Sequence, residues 1–136
     1  VSEVGKSWGV RNIKLTFSRK ILYFAGVLAV AETYEKKREA KIKTLQELLE
    51  LSPIERIETI CEKKNEKVLS LYDDFLSQIS DSKIREILEK VQREERKNCT
   101  EYVELKNKSK EFSKELQNIL EKTFDKDHPI HNALLF

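Results

Sequence analysis

The chain has 136 residues, of which 37% are charged, and it contains only three Gly and two Pro. This length is sufficient for one ordinary domain with its own core. So few turn-forming residues exclude a sheet of many short strands and favour long helices with charged outer faces. The net charge is +2, and the two Cys have no paired spacing motif, so we expect a cytoplasmic protein rather than a disulfide scaffold.

The N-terminal quarter of the chain is basic. Residues 1–31 have one acidic side chain, Glu3, against five basic ones: Lys6, Arg11, Lys14, Arg19 and Lys20. The apolar spacing predicts a first helix from about residue 11 to residue 34, apolar on most of its circumference and therefore central. Its most apolar run, residues 21–31, is about half the roughly 20 residues that a membrane span needs. We therefore expect no membrane partner.

The start of this first helix is a candidate phosphate site. Arg11, Lys14 and Ser18 share one helical face, and Lys6 and Trp8 come just before it. Free backbone N–H groups at a helix start, together with Arg and Lys side chains, can bind phosphate. The pattern therefore predicts a phosphate-contacting face. The alternative is ordinary solvation of a helix whose other face is buried.

Two further helices are predicted before residue 81. A short second helix has an apolar face formed by Ile42, Leu45 and Leu48 or Leu49. The Ser-Pro-Ile-Glu segment 52–55 is a capping-box start for a third helix of about 27 residues. Cys61 and Cys99 are equidistant from residue 80, so in an antiparallel hairpin they are either two small core residues or a redox-sensitive pair.

A heptad pattern from Ile84 to Ile119 predicts one long C-terminal helix. Its apolar seam is interrupted by Glu95 and Asn98. We expect an all-α fold, an antiparallel bundle of four or five helices with a long C-terminal helix hairpin. The fourth helix is longer than its predicted partner. Either the first two helices cover the excess length, or the helix breaks near residues 107–109, or the part without a partner makes an interface for a homodimer or a partner helix. The predicted interface residues are Tyr102, Leu105, Phe112 and Leu116.

Both histidines of the chain fall in the segment 125–131. Carboxylates and imidazoles can together ligate a divalent metal or transfer protons, so Asp125, Asp127, His128 and His131 are candidate metal ligands. The alternative is a polar helix exit that Pro129 terminates. No other local group of ligand types occurs, and we expect no cofactor.

Catalytic motifs are missing from the sequence. It has no Gly-rich phosphate loop, no Gly-x-Ser-x-Gly and no His-Glu-x-x-His. We therefore expect a chain that is not an enzyme by itself. The lack of Met and the apolar last residues, 133–136, favour a single domain, residues 1–136, that is a fragment of a larger protein.

The segment Trp-Gly-Val-Arg-Asn-Ile-Lys at residues 8–14 leads into a helix that continues Phe17-Ser-Arg-Lys. It resembles the Gly-x-Arg-Asp-Ile entry to the helical domain that follows the catalytic domain in some bacterial nucleotidyltransferases. The match covers about a sixth of the chain, and Asn12 replaces the Asp of that pattern. The resemblance implies an accessory, substrate-binding domain with Arg11 and Lys14 near the phosphates of a nucleotide, and without the catalytic residues.

We therefore expect a non-catalytic helical binding module whose basic N-terminal face contacts a phosphate-bearing ligand, a nucleotide among them, or a neighbouring domain. The alternative is a structural or adaptor protein that associates through the long heptad helix. Nucleic acid is a less favoured partner, because the basic residues are few and the Lys-rich helices contain as many Glu. Charge reversal at Arg11 and Lys14 distinguishes the two hypotheses.

Overall fold

The computed structural model describes residues 8–132, apart from the side chains of Lys63 and Lys64. Within these residues the chain forms seven α-helices and no β-strand, which confirms the predicted all-α bundle. The α-helices are α1 (Trp8–Lys14), α2 (Lys20–Thr33), α3 (Arg38–Leu49), α4 (Pro53–Cys61), α5 (Glu66–Ser80), α6 (Ser82–Glu89) and α7 (Thr100–Thr123). No helix in this range is both long and apolar enough to cross a membrane.

Three phenylalanines mark the centre of the core. The ring of Phe17 stacks on that of Phe75 with centroids 4.4 Å apart, and it lies 5.3 Å from the ring of Phe112. All three side chains are almost completely buried. Phe17 precedes α2, Phe75 lies in α5 and Phe112 in α7, so these rings join the first part of the chain to both later helices.

Helices α5 and α7 are antiparallel, as their ion pairs show. Lys67 near the start of α5 lies 3.4 Å from Glu115 in the later half of α7. Asp74, further along α5, lies 2.6 Å from Lys108, which is earlier in α7. The predicted antiparallel pairing therefore exists between α5 and α7, but α6 and a 3₁₀ segment separate these two helices along the chain.

The predicted first helix is continuous but changes its pitch. Between α1 and α2 the chain forms a π-helical turn, Leu15–Arg19. Ile13, Phe17 and Ile21 are spaced by two steps of four residues, and all three are buried. In an α-helix each such step rotates by about 40° away from the core, because one turn takes 3.6 residues. The wider π turn offsets this rotation and keeps the three side chains on one face.

The predicted capping box is confirmed at the start of α4. The Glu55 N–H donates to Ser52 Oγ at 3.2 Å, and the Ser52 N–H donates to Glu55 Oε1 at 3.0 Å. The hydrogen bond from the Ser52 backbone N–H to the ionised carboxylate, and after it the one from the Ser52 side chain, lower the pKa of Glu55. The helix that begins here is shorter than predicted, because it ends at Cys61 and a 3₁₀ turn, Glu62–Asn65, precedes α5. Glu62 has a φ of 52°, a left-handed backbone conformation that is costly for a residue with a Cβ.

The predicted continuous helix from Ile84 is wrong between residues 90 and 99. Helix α6 ends at Glu89, a 3₁₀ segment spans Arg93–Asn98, and α7 begins at Thr100. The segment 92–98 contains no apolar side chain, and both Glu95 and Asn98 are exposed. A helix there would have nothing to bury, so the chain turns and packs α6 and α7 separately.

Neither of the two cysteines, Cys61 and Cys99, forms a disulfide bond. Cys61 is buried in the core, whereas Cys99 is half-buried beside it. The break between α6 and α7 removes the straight hairpin on which their predicted equal height depended. The structure therefore agrees with two small residues at the core.

Candidate functional site

Among the predicted phosphate residues that the structure describes, Ser18 is separate from the two basic side chains. Lys6 lies outside the described residues, and Arg11 and Lys14 are exposed on α1. Ser18 lies in the π turn, where its hydroxyl accepts a long hydrogen bond, 3.5 Å, from the Tyr72 hydroxyl of α5. Ser18 therefore contacts the bundle rather than joining the two basic side chains.

The predicted metal ligand His128 has a structural role. Its Nδ1 accepts a hydrogen bond from the Ile130 N–H at 3.0 Å, which leaves the proton on Nε2. Nε2 lies 3.1 Å from the carbonyl oxygen of Ala31, near the end of α2. The ring also lies 5.1 Å from that of Phe124. His128 thus ties the C-terminal segment to α2.

The other three predicted ligands do not point to a metal site either. His131 Nε2 lies 2.8 Å from the carbonyl oxygen of Asp125, and the side chains of Asp125 and Asp127 are exposed. Across residues 8–132, no group of three or more His, Cys, Asp or Glu side chains is arranged to hold a metal ion. The structure therefore does not bring the four predicted ligands together, because both imidazoles bind backbone carbonyls.

The predicted interface is not available on the surface. Its four residues are 3% exposed or less, and all belong to the core: Tyr102, Leu105, Phe112 and Leu116. The earlier helices cover the heptad seam of α7 within the same chain. This part of the prediction is wrong, since the uncovered length of helix that it assumed does not exist.

A different polar site lies where α1 and α2 run beside α7. Asn12 Oδ1 accepts a hydrogen bond from the Tyr102 hydroxyl at 2.7 Å and another from Lys106 Nζ at 3.1 Å. Further along both helices, Lys20 Nζ donates to the hydroxyl of Ser113. The continuous helix formed by α1 and α2 is parallel to α7 here, because later residues of the one contact later residues of the other.

Four cations gather around these contacts. Burial lowers the pKa of Lys106 below its ordinary value of 10.5, and the positive charges of three neighbours lower it further. We call Lys106 and these neighbours the basic cluster; its members are Lys20, Arg96, Lys106 and Lys110. Three of them are half-buried, and Lys110 is exposed.

Two members of the basic cluster have neutral hydrogen-bond partners. Lys106 donates to an amide oxygen and Lys20 to a hydroxyl. Burial also lowers the pKa of Lys20. Among the ion pairs formed by residues 8–132, none includes a member of the basic cluster. The positive charge at this site is therefore not balanced by a carboxylate in contact.

An aromatic pair adjoins the basic cluster. The half-buried ring of Trp8 lies 5.4 Å from that of Tyr102. Burial raises the pKa of the Tyr102 phenol, and the charge of Arg96 partly opposes this effect. Arg96, on the 3₁₀ segment before α7, therefore lies close to both Tyr102 and Lys106. An apolar ring surface and a group of cations thus meet at one place.

The basic cluster was missed because Lys20 lies 76 to 90 residues before its other three members. A signal was nevertheless present: Asn12, Thr16 and Lys20 follow one another at four-residue steps, as do Tyr102, Lys106 and Lys110. Each set is a polar stripe beside the apolar seam of its helix. Only the parallel packing of the two helices brings the stripes together.

Comparisons of the chain with protein-family models, with curated proteins and with solved structures found no significant match.

Proposed function

We propose that this chain is a non-catalytic helical module that binds a phosphate-bearing ligand at the basic cluster. The observation that carries this proposal is the environment of Lys106. Its hydrogen-bond partner is the neutral Asn12, while burial, and after it the positive charges of Lys20, Lys110 and Arg96, lower its pKa. A phosphate group would replace this repulsion by charge-assisted hydrogen bonds, which are stronger than neutral ones.

The proposal moves the site away from the face on which the sequence placed it. Arg11 and Lys14 are exposed on α1, whereas Lys20 and Lys106 of the basic cluster donate hydrogen bonds across helices. In keeping with the resemblance of residues 8–20, the module acts beside a catalytic domain of nucleotidyltransferase type, in the cytoplasm. Its role there is to hold the phosphate of that domain's substrate.

Calorimetric titration with inorganic pyrophosphate tests the site. We expect the wild-type chain to bind, and we expect Lys106→Gln to weaken binding by about tenfold, the loss typical of one charged hydrogen bond. Lys43→Gln is the matched control, because Lys43 is an exposed lysine of α3, outside the basic cluster. Its affinity should equal that of the wild type.

A double variant, Arg11→Glu with Lys14→Glu, separates the two candidate faces. If the basic cluster is the site, this variant weakens binding less than Lys106→Gln with Arg96→Gln does. A larger loss in the Arg11 and Lys14 variant would return the site to the face predicted from the sequence. Absence of binding by the wild-type chain would contradict the proposed function.

A second candidate function is self-association, and the outer face of α2 favours it. Leu22 and Val30 are each 56% exposed, and Tyr23 is 46% exposed. Gly26 lies between them, and a Cβ built there would meet nothing within 4 Å. Two copies crossing antiparallel at Gly26 would bury these side chains against each other.

A basic residue and an aromatic residue flank the exposed apolar face of α2 at its two ends. Arg19 precedes Gly26 by seven residues and Tyr34 follows it by eight, and both are exposed. Antiparallel pairing would therefore place each Arg19 near the other copy's Tyr34, whose ring also lies 6.0 Å from Lys41 Nζ and 5.3 Å from the ring of His128. This surface replaces the buried seam of α7 as the candidate interface.

A further inference from the structure

We propose that the ligand of the basic cluster is a free nucleotide, whose base packs on Trp8 while its phosphates contact Lys106 and its neighbours. This inference rests on the proposed function and narrows the class of ligand. It depends on the position of one aromatic ring relative to the cations.

The path from the ring to the cations is continuous. Trp8 and Asn12 lie one helical turn apart on α1, about 6 Å at 1.5 Å per residue. On the facing helix, α7, Tyr102 and Lys106 are likewise one turn apart. Trp8 packs beside the Tyr102 ring, and Asn12 holds both the Tyr102 hydroxyl and Lys106 Nζ. A ribose can bridge this one-turn offset.

The two ends of the proposed site differ in chemistry: the Trp8 ring lies at one end and the basic cluster at the other. A nucleotide has the matching pair of groups, a base and its phosphates. Trp8 is half-buried, so part of its ring surface is open to solvent. A base can stack on such a surface, and this interaction tolerates any base because each has a π face. The basic cluster contains cations but no aromatic ring. The phosphates would therefore bind at the basic cluster and the base at Trp8.

The compact arrangement favours a free nucleotide over a nucleic-acid strand. Strand-binding proteins combine a basic groove that follows the backbone with several aromatic side chains, on which successive bases stack. Here the positive charges of three residues act on one lysine, and one aromatic pair, Trp8 and Tyr102, lies one helical turn before that lysine.

The sole Trp of the chain makes the site measurable. The intact chain is titrated with adenosine triphosphate and, separately, with inorganic tripolyphosphate, while Trp fluorescence and binding heat are recorded. We expect the nucleotide to bind about tenfold more tightly than tripolyphosphate, the increment of one stacked base. We also expect the nucleotide to change the fluorescence more than tripolyphosphate does. A free tryptophan amide corrects for light absorbed by the base.

Two variants complete the experiment. Trp8→Leu should remove the preference for the nucleotide and leave the affinity for tripolyphosphate unchanged, whereas Trp8→Phe should retain part of the preference. The wild-type comparison stands even if Trp8→Leu does not fold. Equal affinity of the wild type for both ligands would overturn the inference and leave the proposed function intact.

The remaining outcomes are also decisive. If neither ligand binds, the proposed function and the inference fail together. A short phosphorylated oligonucleotide is titrated in parallel. If it binds more tightly than the mononucleotide, the ligand is a nucleic-acid end, and the assignment of a free nucleotide is overturned.

Discussion

Gly9 lies where α1 comes closest to the end of α6. A Cβ at this position would overlap the carbonyl oxygen of Leu88 and would lie 3.0 Å from the Cβ of Val91. Backbone cannot move away as easily as the end of a side chain can. The approach of the two helices therefore depends on the absence of a side chain at residue 9.

We predict that Gly9→Ala lowers the free energy of unfolding by about 2 kcal/mol, because overpacking displaces α6. Gly26→Ala is the matched control in α2, where a Cβ meets nothing within 4 Å. It should raise the free energy of unfolding by roughly 0.5–1 kcal/mol through helix propensity. Urea denaturation measures both. Equal effects of the two substitutions would contradict this account of the contact.

A second residue-scale prediction concerns the charge on Lys106. At neutral pH its protonated form is less favourable in the folded chain than in the unfolded one, because its folded-state pKa is lowered from 10.5. Between that lowered pKa and 10.5 the unfolded chain binds more protons, so stability rises with pH. We expect Lys106→Gln to melt about 2 °C above the wild type near pH 7, a small gain because the site is partly solvated.

This difference should shrink as the pH approaches 10, since the wild type then loses the unfavourable charge. Thermal melts at several pH values measure it. Lys43→Gln should show no such pH dependence. A variant that melts at or below the wild-type temperature throughout the range would show that charge repulsion at Lys106 does not affect folding.

Some single-residue roles were predictable and others were not. The bonds between Ser52 and Glu55 followed from their spacing, because a capping box is local. The role of His128 did not, since its Nε2 contacts a carbonyl oxygen 97 residues earlier in the chain. The sequence shows where the two histidines lie but not which groups they contact. The metal hypothesis was proposed without knowledge of those contacts.

At the scale of elements, periodicity predicted which faces are buried better than where helices end. The apolar positions of α2, α5 and α7 follow the predicted steps of three and four residues. The breaks after Cys61 and Glu89 were missed, because neither contains Gly or Pro. They arise from packing: α6 needs to turn towards α1, and the polar segment 92–98 has no apolar face to keep it helical.

The break between α4 and α5, after Cys61, leads to a testable prediction. Glu62 has a left-handed φ of 52°, which costs a residue with a Cβ of order 1–3 kcal/mol. Glu62→Gly should therefore raise the free energy of unfolding by about 1 kcal/mol, after the entropy cost of Gly is subtracted. Glu58→Gly, in the exposed interior of α4, should lower it by about 1 kcal/mol. Chemical denaturation that shows both substitutions destabilising would contradict the strain at Glu62.

At the scale of the whole molecule, the arrangement of helices creates both candidate surfaces. Parallel packing of α1 and α2 beside α7 assembles the basic cluster, and the outer face of α2 presents an exposed apolar surface. Neither result followed from the sequence, because helix periodicity does not state which helices are neighbours. The all-α class did follow, since composition and spacing determine it locally.

Self-association through α2 is testable by sedimentation over a range of protein concentrations. One helix face is small against the roughly 800 Å² per partner of a standard interface, so we expect a weak dimer whose mass rises with concentration. Leu22→Lys should abolish it. Leu76→Lys is the control, because Leu76 is exposed on α5. A monomer at every concentration would exclude this second function.

The most direct test of the phosphate site is an amide-resolved NMR titration of the chain with inorganic pyrophosphate. We expect saturable shifts at Asn12, Lys20, Arg96, Tyr102, Lys106 and Lys110, with Asp125–His131 unchanged. Shifts confined to Arg11, Lys14 and Ser18 would place the ligand on the other face of the first helix. No saturable shift at all would contradict phosphate binding by this bundle.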